Sequence, residues 1–241
     1  MTNSNDDHKK IDMVKSNGHS DVTVPGPDDN PFTRYAEAAG GSQITGSLLR
    51  FVKGDYLAGQ DADEVPAGTE LVAVMDTLRI GYIRWEDNPP VEHRMGFLSE
   101  GYVPPTRRDL SDTDKGLWPT DDEGTPQDPW QYSAYLTLVE PEDPARVFTF
   151  ATSSKGGHGA IVALCKEYGR IVRQRPDSYP IVRLDVGSYP HSDRSIGRVK
   201  TPVLKITRWI PKGGFDNALT GSPEPDGTLP PSTVAAERAL F

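Results

Sequence analysis

The sequence predicts a mostly β domain with one helix over residues 42–210. Three observations predict it: runs of strand-forming residues that alternate apolar and polar, a single stretch of helical periodicity, and flanking segments too polar to pack. QITGSLLRFVK (43–53) alternates and reads as the first strand. A loop follows. LVAVMDTLRIGYIRWED (71–87) then carries two strands' worth of apolar residues, read as one long bent strand with a bulge near Gly81, with a tight hairpin as the alternative. Residues 88–129 are acidic and punctuated by proline, an insertion of a length that is usually functional or disordered.

WQYSAYLTLV (130–139) puts Trp130, Tyr132, Ala134, Leu136 and Leu138 on one face and Tyr135, Thr137 and Val139 on the other. With RVFTFATS (146–153) it makes the best hairpin in the chain. The helix rests on Ile161, Val162, Leu164, Cys165, Tyr168, Ile171 and Val172 at helical spacing, and it ends before Pro176. YPIVRLDVGSY (179–189) and GRVKTPVLKITRWI (197–210) read as closing strands, the second edge-like or bulged at Pro202. Strands, one helix, then two strands match an OB-like, partly open barrel with insertions. The one strand in excess before the helix leaves a mixed α+β sheet as the alternative.

Residues 1–41 lack any period and read as a disordered tail. Residues 211–241 read as a flexible tail, with a linker over 211–233 and a terminal STVAAERALF in which Val234, Arg238 and Phe241 share a helical face suited to docking a partner. No apolar leader and no run of about 20 apolar residues is present, so the expected location is the cytoplasm, with no membrane partner. The single Cys165 excludes an internal disulfide and a Cys-based zinc site, and it reads as a small core residue.

A formal net charge of −9 disfavours a nucleic-acid partner only if charge is spread evenly, and it is not. Residues 55–143 hold 6 Lys+Arg against 20 Asp+Glu, a net of −14, whereas residues 146–213 hold 13 against 4, a net of +9. Either one face of the fold is positive or the two halves pair with each other.

Aromatic side chains interleaved with basic ones suit a surface that stacks bases and tracks phosphates. Such groupings are Arg50, Phe51 and Lys53; Tyr82, Arg84 and Trp85; Trp130 and Tyr132; and Arg208 with Trp209. Each aromatic also has an ordinary core reading. In SSKGGHG, Ser153 to Gly157 with Lys155 stand between a strand and a helix start, where free N–H groups suit an anion, or simply a turn and cap. The Walker spacing is absent, the histidines lack ligand spacing, and no nucleophile elbow occurs, so no catalytic residue, metal or cofactor is expected. A nuclease using Glu86 and Asp87 is the enzymatic alternative.

The runs GSLLRFVKGDYLAGQ, IRWEDNPPVEHRMG, DPWQYSAYLTL, FTFATSSKGGHGAIVALCKEYG and SYPHSDRSIGRVKTPVLKI resemble a family of uncharacterised phage and prophage proteins over about residues 40–210. In outline the chain also resembles phage single-stranded-DNA-binding proteins, which pair an OB core with an acidic tail ending in Phe, as Phe241 does here; acids are sparse in this tail. The expectation is a sequence-tolerant single-stranded DNA-binding protein supporting replication or recombination, with RNA as the alternative strand. Arg50, Lys53, Arg84, Lys155, Arg198 and Lys200 would contact phosphate; Tyr82, Trp85, Trp130 and Tyr132 would stack bases. The tail would bind replication or recombination proteins, and self-association stays open. The rival is a phage structural or host-interaction protein that binds other proteins.

Overall fold

The computed structural model describes residues 44–86, 90–121, 124–190 and 197–215. The segments read as tails, including Val234, Arg238 and Phe241, lie outside the described residues except for 211–215. Ten strands and one α-helix follow in the order β1 (Ser47–Val52), β2 (Asp55–Ala58), β3 (Asp63–Val65), β4 (Glu70–Ala73), β5 (Arg79–Trp85), β6 (Pro90–Phe97), β7 (Trp130–Val139), β8 (Val147–Thr152), α1 (Lys155–Ile171), β9 (Ser178–Pro190) and β10 (Arg198–Pro211). The chain is mostly β with a single described α-helix, and its sheet stays open rather than closing into a barrel.

β7 organises the sheet. Its far edge pairs with β8, and its near edge is shared by β4 and β5, which both run antiparallel to it. Val72 faces Val139 and Arg79 faces Tyr135, so eight residues on one side span five on the other. The surplus three form a 3-10 turn at Met75–Thr77. The stretch expected as one long bent strand is therefore two strands in line along the same edge of β7, and the break falls here and not at Gly81. There the pairing runs unbroken, and glycine serves because a Cβ would lie 2.1 Å from the Arg94 carbonyl oxygen. At the break the Thr77 hydroxyl donates to the Val74 carbonyl at 2.7 Å and accepts from the Thr137 N–H at 3.1 Å. A side chain thus satisfies a buried donor that the ladder would otherwise strand.

From β4 the sheet continues through β9 to the edge strand β10; from β5 it continues to β6; from β8 it passes through β1 and β2 to β3. β10 is the edge that Pro202 foretells, although its register shift falls between Ile206 and Arg208. β1 and β8 are parallel. This pairing is entered through Gly46, whose φ of 67° and 2.1 Å clearance to the Val147 carbonyl oxygen admit no side chain. β2, β3 and β6 depart from the expected loops. β1 and β2 are joined by the two-residue turn Lys53-Gly54, both at positive φ (53° and 111°), which is the hairpin geometry whose twist suits its strands.

The core fills one face of the sheet. Leu49, Leu136, Leu138, Phe150, Leu164 and Leu184 are fully enclosed there, each of order 1.5–3 kcal/mol on area grounds. α1 covers this face with Ile161 and Leu164, as its periodicity predicts, while Cys165 and Tyr168 pack at the margin and Val162 faces solvent. A smaller cluster of Val72, Val74, Val139, Tyr179, Ile181 and Phe215 occupies the opposite face.

The two ends of this open sheet are tied by a side chain. Tyr56 of β2 is 1% exposed, packs edge-on to Phe51 at 4.9 Å, and carries its hydroxyl across the core to the β9/β10 ladder. There it donates to the Asp185 carbonyl at 2.9 Å and accepts from the Val203 N–H at 3.1 Å. Burial pushes this phenol well above its ordinary pKa, so the hydroxyl stays protonated.

Tyr56→Phe keeps the ring and removes the tie. We expect a loss of about 1–3 kcal/mol and a Tm lower by roughly 2–10 °C. Thr77→Val is expected to lose a similar amount, whereas Thr77→Ser keeps wild-type stability. Thermal and urea unfolding of the three variants check both statements.

Candidate nucleic-acid interface

The first turn of α1 positions the most suggestive surface. Ser154 caps it by accepting from the Gly157 N–H at 3.1 Å. Gly157 lets the helix approach β8 so closely that a Cβ would meet Thr152 Oγ1 at 1.8 Å, and a Cβ at Gly156 would meet Thr201 Cγ2 of β10 at 2.8 Å. Gly156 and Gly157 thus serve docking, and Ser154 serves as the cap. The helix start is wedged between β8 and β10, with Lys155 exposed at its tip.

On the β7 side the same turn presents His158, whose Nε2 lies 2.9 Å from the Tyr132 carbonyl. A carbonyl only accepts, so this nitrogen carries the proton. The His158 and Tyr132 rings are 4.9 Å apart, and Tyr132 meets Tyr82 of β5 edge-on at 5.1 Å. These three half-buried rings form an unbroken tier. Tyr102 extends it over Gly96 and donates to the Arg94 carbonyl at 2.7 Å. Burial holds the His158 imidazole below its ordinary pKa, against the opposing pull of the carbonyls of Tyr132 and Ser153. Burial raises the Tyr132 phenol, with the Tyr82 and Tyr102 phenols adding to the shift.

On the β10 side, Lys200 lays its stem against the β1–β2 turn: a Cβ at Gly54 would meet Lys200 Cδ at 2.2 Å. Exposed Lys53 is the other residue of that turn. Lys53, Lys155 and Lys200 therefore gather around the helix start, and among the described residues none of them meets a carboxylate at ion-pair distance. Arg198 lies two residues outward along β10 and donates to Ser188 Oγ and O, both at 3.0 Å. Arg50 is half-buried on β1 opposite Leu57, away from this corner's tip.

The other predicted residues sit differently. Tyr82 and Arg84 share a face of β5, as alternation requires, and Ile83 is buried behind them. Arg84, however, is held by Asp112 through Nε at 2.8 Å and by Glu86 through Nη1. Trp130 is 4% exposed and its Nε1 donates to Ser111 Oγ at 3.2 Å, so its ring is enclosed rather than presented. Trp85 is half-buried with its indole N–H covered. Phe51 belongs to the core, and Trp209 stacks on Tyr168 at 5.7 Å. Of the nuclease pair, Glu86 engages Arg84 and Asp87 lies outside the described residues.

The enclosing element is the acidic insertion, which is ordered over most of its length. Arg107 grips Asp128 with Nε and Nη2 at 2.7 and 2.8 Å and donates its remaining N–H groups to the carbonyls of Ser111 and Asp112. This fork holds the Ser111–Asp112 segment against Arg84 and Trp130 at the ends of β5 and β7. The charge question has a divided answer. Arg146, Arg208 and Lys212 of the basic half pair with Glu140, Glu70 and Asp76 of the acidic half, while the helix-start lysines do not join them.

No group of three metal-ligating side chains occurs among the described residues, and no described helix is long and apolar enough to cross a membrane.

Arg107→Lys keeps the charge and loses the fork. We expect about 1.5–3 kcal/mol of local stability to go and tryptic cleavage after Arg108 to accelerate, with the core remaining protected. A second expectation concerns pH. Burial lowers both His93 and His158, so the fold favours their neutral forms, while the unfolded chain takes up protons below about 6.5. Their contribution is full above that value and is lost as pH falls toward and through the lowered folded values. Tm should hold steady from pH 8 to about 7 and fall below about 6.5, and His158→Gln, which keeps a donor for the Tyr132 carbonyl, should flatten part of the fall. A comparison with known proteins found no family model, curated protein or solved structure that matches this chain.

Proposed function

We propose that this chain binds single-stranded DNA with little sequence preference, in the manner of an OB-like, phage-type single-stranded-DNA-binding protein acting in the cytoplasm during replication or recombination. The observation that carries the reading is the continuity of the Tyr82, Tyr132 and His158 rings with the helix start that carries Lys155. Stacking surfaces and cations alternate along a single strand because every nucleotide offers one π-face and one charge. Tyr82 and Tyr132 are half-exposed, and no hydrogen bond of their hydroxyls occurs among the described residues. Lys155 precedes His158 by three residues on the same helical turn, and Lys53 and Lys200 lie on that turn's β10 side; among the described residues none of the three meets a carboxylate at ion-pair distance, as phosphate contacts require. The stacking role is best carried by Tyr82 and Tyr132; Trp130 and Arg84 are engaged elsewhere.

A protein-binding role is favoured by a different observation. Val103 and Leu117 are 82% and 83% exposed on an insertion that is itself ordered, an arrangement suited to a docking surface.

Fluorescence polarisation of labelled dT20 and of a duplex of equal length, over a salt series, tests the first reading. We expect preference for the single strand and affinity that falls with salt. Lys155→Ala with Lys200→Ala should reduce the log–log salt slope by about 1.4, and Tyr82→Ala should cost about 1–3 kcal/mol with the slope unchanged. Absence of binding to either oligonucleotide at low salt would reject this reading in favour of the protein-binding one.

A further inference from the structure

We infer that Arg84 and Trp130 form a second subsite for the single strand, one phosphate and one base wide, which the insertion's own Ser111–Asp112 tip occupies in the unbound protein. The inference rests on the DNA-binding reading above.

Four groups make the contact. Trp130 Nε1 donates to Ser111 Oγ at 3.2 Å, Ser111 Oγ donates to Asp112 Oδ2 at 2.6 Å, and the same oxygen accepts from Arg84 Nε at 2.8 Å. Asp112 thus occupies the Nε side of the guanidinium, where a phosphate oxygen would bind because both anions match that planar set of donors, while Glu86 keeps Nη1. The tip holds the indole N–H of Trp130, which is buried in the unbound protein.

Three features mark the tip as a built occupant. Asp112 holds a left-handed backbone with φ of 57°, a conformation uncommon for a side chain other than Asn, Asp or Gly. The backbone carbonyls of Ser111 and Asp112 are pinned by Arg107 at 2.9 and 2.7 Å. Arg84 and Trp130 also stand opposite each other in the β5/β7 pairing, directly in line with the Tyr82–Tyr132 pair. A strand following the tyrosine tier along β5 and β7 reaches Arg84 and Trp130 next. Residues 98–128 carry 8 Asp+Glu against 3 Lys+Arg, so a bound strand would repel the insertion as a whole.

The test is Asp112→Asn, which suits the same backbone conformation and retains a hydrogen-bonding side chain while discarding the charge. Against dT20 we expect about two- to fivefold tighter binding than wild type, and a log–log salt slope steeper by about 0.7 as Arg84 gains a phosphate. Adding Arg84→Ala to Asp112→Asn should abolish both gains. Wild-type binding with no gain in affinity or slope for Asp112→Asn overturns the second subsite and leaves the tyrosine surface standing. Absence of binding in both chains overturns the two readings together. Should Asp112→Asn fail to fold, the wild-type chain carries the test: dT20 is expected to speed tryptic cleavage at Arg108 and Lys115 by displacing the tip, and unchanged or slower cleavage overturns the inference.

Discussion

One phenolic hydroxyl holds the fold in its working shape. The sheet branches at β7, and its two long limbs end at β3 and β10 without pairing, so no backbone ladder closes the structure. Tyr56 supplies the closure instead, reaching from β2 to the Asp185–Val203 pair of β9 and β10. Its burial makes the bond strong, since neither partner has water as an alternative. The consequence extends to the surface. Because β2 is tied to β10, the Lys53-Gly54 turn lies against Lys200, and the basic corner exists where two otherwise remote ends of the sheet meet.

The second constraint is how closely α1 approaches the sheet. Gly156 and Gly157 fix the helix start against Thr201 and Thr152, and that position brings His158 onto Tyr132. One helical turn thus joins an aromatic tier borne by β5 and β7 to cations borne by β10 and the β1–β2 turn. The overall charge of −9 is no obstacle to this arrangement. Arg146, Arg208 and Lys212 are braced by Glu140, Glu70 and Asp76, whereas among the described residues Lys53, Lys155 and Lys200 meet no carboxylate at ion-pair distance.

How much of this the sequence made legible depended on the range of each interaction. The β7–β8 hairpin and α1 were readable because apolar spacing is a local signal strengthened by length, and the face assignment along Tyr132, Ala134, Leu136 and Leu138 follows from alternation alone. β2 and β3 are hard to read because they span only four and three residues, and the turn that leads from β1 into β2 is Lys-Gly, not the Asn-Gly that ordinarily marks a hairpin. β6 escaped because it begins at a proline and is half-buried along most of its length, which blurs alternation. The parallel union of β1 with β8 crosses most of the domain and leaves only Gly46 as a trace.

The candidate site divides along the same line. Tyr82, Tyr132 and Lys155 stand out locally, whereas His158, a lone His after a Gly pair, and Tyr102, a Tyr in a Pro-rich loop, carry no spacing signal. Arg84 was placed on the correct face, yet its partner Asp112 lies 28 residues away in a segment whose composition suggested disorder. Composition misleads there for a physical reason. An acidic, Pro-rich segment cannot bury enough apolar surface to order itself, but it can borrow order from charge-assisted hydrogen bonds when an arginine fork such as Arg107 has a fixed carboxylate to grip. Such bonds are strong enough to position a loop and, unlike a packed core, can be exchanged for those of another anion. That property is what the proposed exchange of Asp112 for a phosphate on Arg84 requires.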